Sequence, residues 1–278
     1  MHSLMSVEEL AGRLDDRSLR TIDCRFALAN PDQGRVAHAI AHIPGAVYAH
    51  LDEDLAGPVN DNTGRHPLPE PAVFAARLGE WGISPDTEVV VYDDEGGAFA
   101  ARLWWMLQHW IGHTRVRLLD GGLKRWMAGQ HPIDNRKIIP VATRYPIHTD
   151  DRIWVAADQV AKDLAQGKIM LVDARSEERF CGKQEPIDPV AGHVPGAVNL
   201  PFAGNLQATG EFLPTEDLRR RYQPLLDHHA PSDVVHMCGS GVNACINLLA
   251  MNIAGFHGSR LYVGSWSDWI RDPRRPIG

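Results

Sequence analysis

Cysteine is scarce in this chain. Cys24, Cys181, Cys238 and Cys245 are spread over 278 residues without a CxxC pair, so the spacing fits neither a disulfide scaffold nor a zinc finger. A basic excess is also missing, with 28 lysines and arginines against 35 aspartates and glutamates and a net charge of −7. Phosphate recognition draws on positive charge, which excludes nucleic acid and anionic membrane as principal partners. No apolar run approaches the ~20 residues that span a bilayer. The opening MHSLMSVEEL has neither a basic nor an apolar signal region, so a reducing cytoplasm is the expected compartment. With 44% hydrophobic and 23% charged residues, global disorder is excluded too.

What is present is a repeat. TIDCR at 21–25 and AHIPGAVY at 41–48 match LVDAR at 171–175 and GHVPGAVN at 192–199. A second pair follows in each half. TEVVVYDDEGGAFAARLWWML, from Thr87, matches SDVVHMCGSGVNACINLLAM, from Ser232, and LLDGGLKRW, ending at Trp126, matches LYVGSWSDW, ending at Trp269. The period is far too long for a solenoid and indicates duplicated domains. The expected division is an N-terminal domain over 1–135, a linker over 136–152 containing Pro140 and Pro146, and a C-terminal domain over 153–278.

Each half alternates strand and helix signals. Residues 169–173 and 233–237 are short apolar runs ending at turns, as buried parallel strands are. Residues 98–111 place Phe99, Leu103, Leu107 and Trp110 on one helical stripe, and 215–227 and 243–254 also read as helices. The expected class is α/β, each domain a parallel sheet flanked by helices. Ligands of such sheets sit beyond the carboxyl ends of strands. That rule selects the loops beginning at Cys238 and at Asp93.

Cys238 follows an apolar strand directly, and Gly239-Ser240-Gly241-Val242 separates it from a helix. Two glycines let such a segment curl its amides into a nest that favours an anion, lowering a thiol's pKa and stabilising a thiolate or persulfide. Most free cysteines are simply buried; position at a strand end before a helix sets this one apart. A cysteine phosphatase would need an arginine closing the loop to clamp phosphate, and Ala244 stands there. At the equivalent point of the first half, Asp93 offers no thiol nucleophile and its loop would repel an anion, so only the second half is expected to be catalytic.

CGSGVNA, the paired H-[IV]-P-G-A segments and GSWSDW together resemble the tandem-domain rhodanese and 3-mercaptopyruvate sulfurtransferase family, from Val7 to Ile277. The resemblance implies two tandem rhodanese-like domains and sulfur transfer through a Cys238 persulfide. The loop residues Gly239, Gly241 and Val242 would hold the transferred sulfur. Gly239 and Ser240 side with the mercaptopyruvate type of loop; thiosulfate is the alternative donor, and a binding or sulfur-relay module the alternative role. Asn243 replaces the usual threonine, and either side chain can cap a helix. Arg179 matches the clamp for the donor carboxylate, a task suited to a guanidinium. The second arginine usual in mercaptopyruvate enzymes is absent from KQEPIDPVAGH, leaving Lys183 or Arg35 to replace it.

The family's serine-protease-like relay maps onto Ser240, His66 and Asp52, where a polarised hydroxyl would assist enolate protonation. The structural alternatives are a loop-anchoring His66 and a solvated Asp52. The resemblance implies no cofactor and no metal, and an acceptor that is a thiol, such as thioredoxin, or cyanide. His42 and His193 recur in both halves and are expected to be structural. Cys245 is expected to point into the core, and the Trp266 loop to close over the site.

Overall fold

Short β-branched and apolar segments form the centre of each repeat. The computed structural model describes residues 3–278. The chain divides into two units: the first contains the residues up to Gly57, 68–150 and 207–212, and the second contains 58–67, 151–206 and 213–278. His66 therefore belongs to the second unit although it lies early in the sequence. Residues 136–150, read from the sequence as part of a linker, belong to the first, where the Thr143 N–H donates to Gly79 O at 3.0 Å.

The first unit contains strands β1 (Leu4–Met5), β2 (Leu19–Asp23), β3 (Val47–Tyr48), β4 (Glu88–Tyr92) and β5 (Val116–Leu119), and the second β6 (Trp154–Val155), β7 (Met170–Asp173), β8 (Val198–Asn199), β9 (Val234–Met237) and β10 (Arg260–Tyr262). Each forms one parallel sheet, ordered β1-β5-β4-β2-β3 and β6-β10-β9-β7-β8. The orders are the same, as duplication requires, and the α/β class expected from sequence is the one found. The central strands β4 and β9 are buried throughout, which explains why they read as continuous apolar runs rather than alternating ones.

The helices are α1 (Val7–Ala11), α2 (Gln33–Ile40), α3 (Leu51–Asp54), α4 (Pro71–Glu80), α5 (Ala100–Trp105) and α6 (Gly122–Ala128) in the first unit. Those of the second are α7 (Ala157–Ala165), α8 (Glu177–Phe180), α9 (Thr215–Tyr222), α10 (Ala244–Ile253) and α11 (Ser265–Trp269). The single helix expected over 98–111 is instead α5 followed by a π-helical turn, Met106–Trp110. The run expected over 215–227 ends as a 3₁₀ turn at Gln223–Leu226, where Pro224 cannot supply the N–H that continued α-helix needs. Helix α10 is buried from Ala244 to Met251. Its one polar residue in that stretch, Asn247, is satisfied by Asn205 Nδ2 at 2.7 Å and by donating to Leu200 O at 3.0 Å.

The matched D-x-R triplets have a structural task that the sequence did not disclose. Arg25 binds Asp23 through buried hydrogen bonds and donates to Ala41 O at 2.7 Å; Arg175 binds Asp173 likewise and donates to Gly192 O at 2.8 Å. Each arginine ties the end of a strand to the turn before an H-[IV]-P-G segment. His42 and His193 are structural, as expected: their Nδ1–H groups donate to His38 O at 2.6 Å and Phe180 O at 3.0 Å.

On β9, His236 is wholly buried and its pKa is pushed down to about 3 by desolvation. The folded state therefore holds it neutral, and acid favours the unfolded chain, which binds the extra proton. Stability is expected to be complete above pH ~6.5 and to fall between there and pH ~3, by on the order of a few kcal/mol. Urea melts across that range test this, and His236→Gln should flatten the slope by about one proton.

Candidate active site

Cys238 leaves the carboxyl end of β9 and is 3% exposed. Its N–H donates to Ser265 Oγ at 3.1 Å, and its carbonyl accepts the Trp266 N–H at 3.0 Å. The next carbonyl, of Gly239, accepts the Ser267 N–H at 2.8 Å. The start of α11 thus holds the loop by its backbone, so GSWSDW is a brace beneath the thiol. Ser265 adopts a left-handed φ of 53°, where the first unit has Gly122 at 56°. A β-carbon on Gly122 would lie 2.3 Å from Asp93 O. In the second unit the side chain is present, and its hydroxyl bonds Cys238 N–H and Tyr262 O, partners that offset the strain of that conformation.

Within the loop, Gly241 is left-handed at φ 75° and Val242 is buried. Asn243 precedes α10 with helical backbone angles and makes no side-chain cap. The expected capping role is therefore absent: a residue already in the helical region does not aim its side chain at the next turn's amides. Cys245 is buried, and its thiol donates to Gly241 O at 3.5 Å, in line with the expected inward orientation.

Ser240 Oγ lies 2.7 Å from His66 Nδ1, and both residues are buried, at 6% and 4% exposed. His66 arrives on the segment 58–67, whose neighbour Arg65 donates its N–H to Ser267 Oγ at 3.1 Å. Asp52 lies on α3 of the first unit and is exposed. The buried carboxylate of α3 is Asp54, which accepts the His50 N–H and pairs with Arg77 at 2.7 Å. Trp266 is wholly buried, its indole N–H bonded to Val190 O at 2.9 Å, so it packs beneath the loop instead of closing over it.

Two guanidinium groups meet at Gly239. A β-carbon there would lie 2.9 Å from an Arg65 nitrogen and 3.4 Å from one of Arg179. Only glycine leaves room for both beside the cysteine. Arg179, on α8, is 18% exposed and binds Glu185 at 2.7 Å and Asp188 at 3.2 Å; Arg65 also pairs with Asp188. Burial opposes the Glu185 charge, yet the Arg179 hydrogen bonds outweigh it and hold its pKa below the usual value. For Asp188 burial prevails over the attraction of Arg65 and Arg179, and its pKa is raised.

The equivalent loop of the first unit shows what such a turn binds. Asp93 carries a carboxylate that accepts four backbone N–H groups, from Glu95, Gly97, Phe99 and Ala100, at 2.8–2.9 Å. The loop amides converge on a carboxyl group supplied by the chain itself, and their pull opposes the burial that raises its pKa.

A model of the rhodanese-like domain matches residues 6–129 and again residues 156–272. The chain belongs to the tandem-domain rhodanese family. It is 47% identical to a probable 3-mercaptopyruvate sulfurtransferase of Pseudomonas aeruginosa, over 99% of this chain and 97% of that protein. It is 38% identical to a putative thiosulfate sulfurtransferase of Mycobacterium tuberculosis, over 99% and 96%. Among solved structures it is similar to 3-mercaptopyruvate sulfurtransferase from Leishmania major, with 31% identity, a TM-score of 0.83, and coverage of 96% of this chain and 73% of that one.

The chain is a sulfurtransferase, and the second guanidinium beside Gly239 comes from neither candidate named on sequence. Arg35 pairs with Glu53 in the first unit, and Lys183 is exposed. The second guanidinium beside Gly239 is that of Arg65, on a segment more than a hundred residues upstream. The only signal for it was adjacency to His66 in GRHPLP.

Proposed function

We propose that this sulfurtransferase takes sulfur from a small carboxylate donor, 3-mercaptopyruvate, and passes it through a Cys238 persulfide to a thiol acceptor such as thioredoxin, or to cyanide, in the cytoplasm. The reading rests on one observation: two guanidinium groups flank Gly239 directly beside the buried thiol, with Ser240 and His66 paired in the same loop. Arg65 and Arg179 orient the donor's carboxylate. The Cys238 thiolate attacks the donor sulfur, the carbon–sulfur bond breaks, and pyruvate leaves as its enolate. Ser240, polarised by His66, supports the developing oxyanion and its protonation. Gly239, Gly241 and Val242 contribute the turn that holds the persulfide anion, as the Asp93 turn holds a carboxylate. The acceptor then attacks the outer sulfur and frees the thiolate. The first domain is non-catalytic in this scheme.

The test compares pyruvate release from 3-mercaptopyruvate with sulfite release from thiosulfate. Arg65→Ala and Arg179→Ala are each expected to lower kcat/KM for 3-mercaptopyruvate by about 30-fold, the loss of one charge-assisted contact. A wild-type protein that releases sulfite readily and no pyruvate would overturn the donor assignment.

A further inference from the structure

The two arginines that flank Gly239 are not free cations. Each is already engaged by a carboxylate from the segment between α8 and β8. Asp188 pairs with both Arg65 and Arg179, and Glu185 pairs with Arg179 and, at 3.3 Å, with Arg175. Arg175 in turn is neutralised by Asp173. Arg65 and Arg179 against Glu185 and Asp188 sum to zero charge beside the thiol.

The two carboxylates are not equivalent. Glu185 accepts both Ile187 and Asp188 backbone N–H groups at 3.1 Å in addition to its arginines, which makes it a fixed part of the turn. Among the described residues, no backbone N–H donates to the Asp188 carboxylate. It bridges the two guanidinium groups that would otherwise receive the donor, and it is buried with its charge incompletely compensated. Among the described residues, the buried Arg65 Nε–H has no acceptor. Asp188 thus takes up Arg65 Nη1 and shares Arg179 Nη2 with Glu185, part of what the two guanidinium groups could offer a donor.

We propose that Asp188 is a specificity-determining residue: its carboxylate occupies part of the donor's anion site, lowering the site's net charge so that a monoanionic carboxylate donor is preferred over a dianionic one. A neutral arginine cluster attracts one incoming negative charge weakly and a second less still, because each added charge meets Asp188 across a short, poorly screened distance. Thiosulfate bears two charges where mercaptopyruvate bears one. The Asp188 charge therefore acts more strongly against thiosulfate.

This inference rests on the sulfur-transfer reading for the identity of the donors, so its test has one arm that needs no turnover. In steady-state assays Asp188→Asn is expected to raise kcat/KM about tenfold for thiosulfate and about threefold for 3-mercaptopyruvate, with the change concentrated in KM. Asp188→Glu, which keeps the charge, should retain the wild-type ratio between donors. In the second arm, Cys238 alkylation is followed by peptide mass spectrometry with iodoacetate and with iodoacetamide. Asp188→Asn should raise the iodoacetate rate relative to the neutral reagent several-fold, whether or not any donor turns over. An unchanged reagent ratio overturns the proposal. So does a higher KM for both donors in Asp188→Asn, which would make Asp188 only a support for the arginines. Absence of turnover in wild type with an altered reagent ratio would instead refute the donor reading and leave the charge role standing.

Discussion

Cys238→Ser is expected to lose sulfur transfer from every donor, by about 10⁴-fold or more, because removing a nucleophile that acts through a covalent intermediate leaves only binding and positioning. The substitution is small and the fold should survive it: the backbone N–H and C=O of residue 238 are both held by α11, and neither bond involves the sulfur. Two measurements check the result. Pyruvate or sulfite release should vanish, while the urea midpoint stays close to wild type. Mass spectrometry after donor treatment should find one added sulfur on the Cys238 peptide of wild type. The other cysteines provide the contrast. Cys24 and Cys245 are buried, and burial drives the Cys24 thiol pKa well above its ordinary value, which keeps it protonated and unreactive. Cys181 is exposed. Sulfur found on Cys181, with Cys238→Ser still active, would refute the assignment.

The position of Cys238 was legible because it depends on local pattern. A buried strand ends at the cysteine, glycines follow, and a helix begins; the sheet rule does the rest. The duplication made this stronger, since the Asp93 loop showed the same frame without a nucleophile. Ser240 beside His66 was legible only through the family motif, because nothing local in GRHPLP says that residue 66 reaches a loop 174 residues away. Arg65, Glu185 and Asp188 were not legible as a cluster. Their meeting depends on where the segment 58–67 lies within the second unit, a matter of tertiary placement that neither periodicity nor turn chemistry encodes. The misplaced helix features have a simpler cause. The apolar stripe of residues 98–111 is continuous in sequence, but apolar periodicity does not distinguish an α-helical turn from a π-helical one.

Gly241→Ala should damage both folding and catalysis, and a second glycine separates the causes. At φ 75° any side chain is strained, and at Gly241 a β-carbon would also come within 2.2 Å of the Val263 carbonyl oxygen. That oxygen belongs to the corner between β10 and α11, which is held by the Cys238 and Gly239 bonds already described, so the obstacle cannot step aside alone. The loop itself must shift. The expected cost is about 2–4 kcal/mol in urea melts, combining backbone strain with overpacking. A shift of about an ångström also draws Ser240 away from His66 and realigns the amides that follow Cys238, so kcat should fall by about 100-fold. Gly167, just beyond α7, has φ 65°, and none of the described residues comes within 4 Å of a β-carbon placed on it. Gly167→Ala bears the left-handed strain without the clash and should cost only about 1 kcal/mol, with activity retained. If the two variants lose stability equally and Gly241→Ala keeps its kcat, the loop does not depend on close approach to Val263, and the turn's geometry is not what holds the thiol ready to accept sulfur.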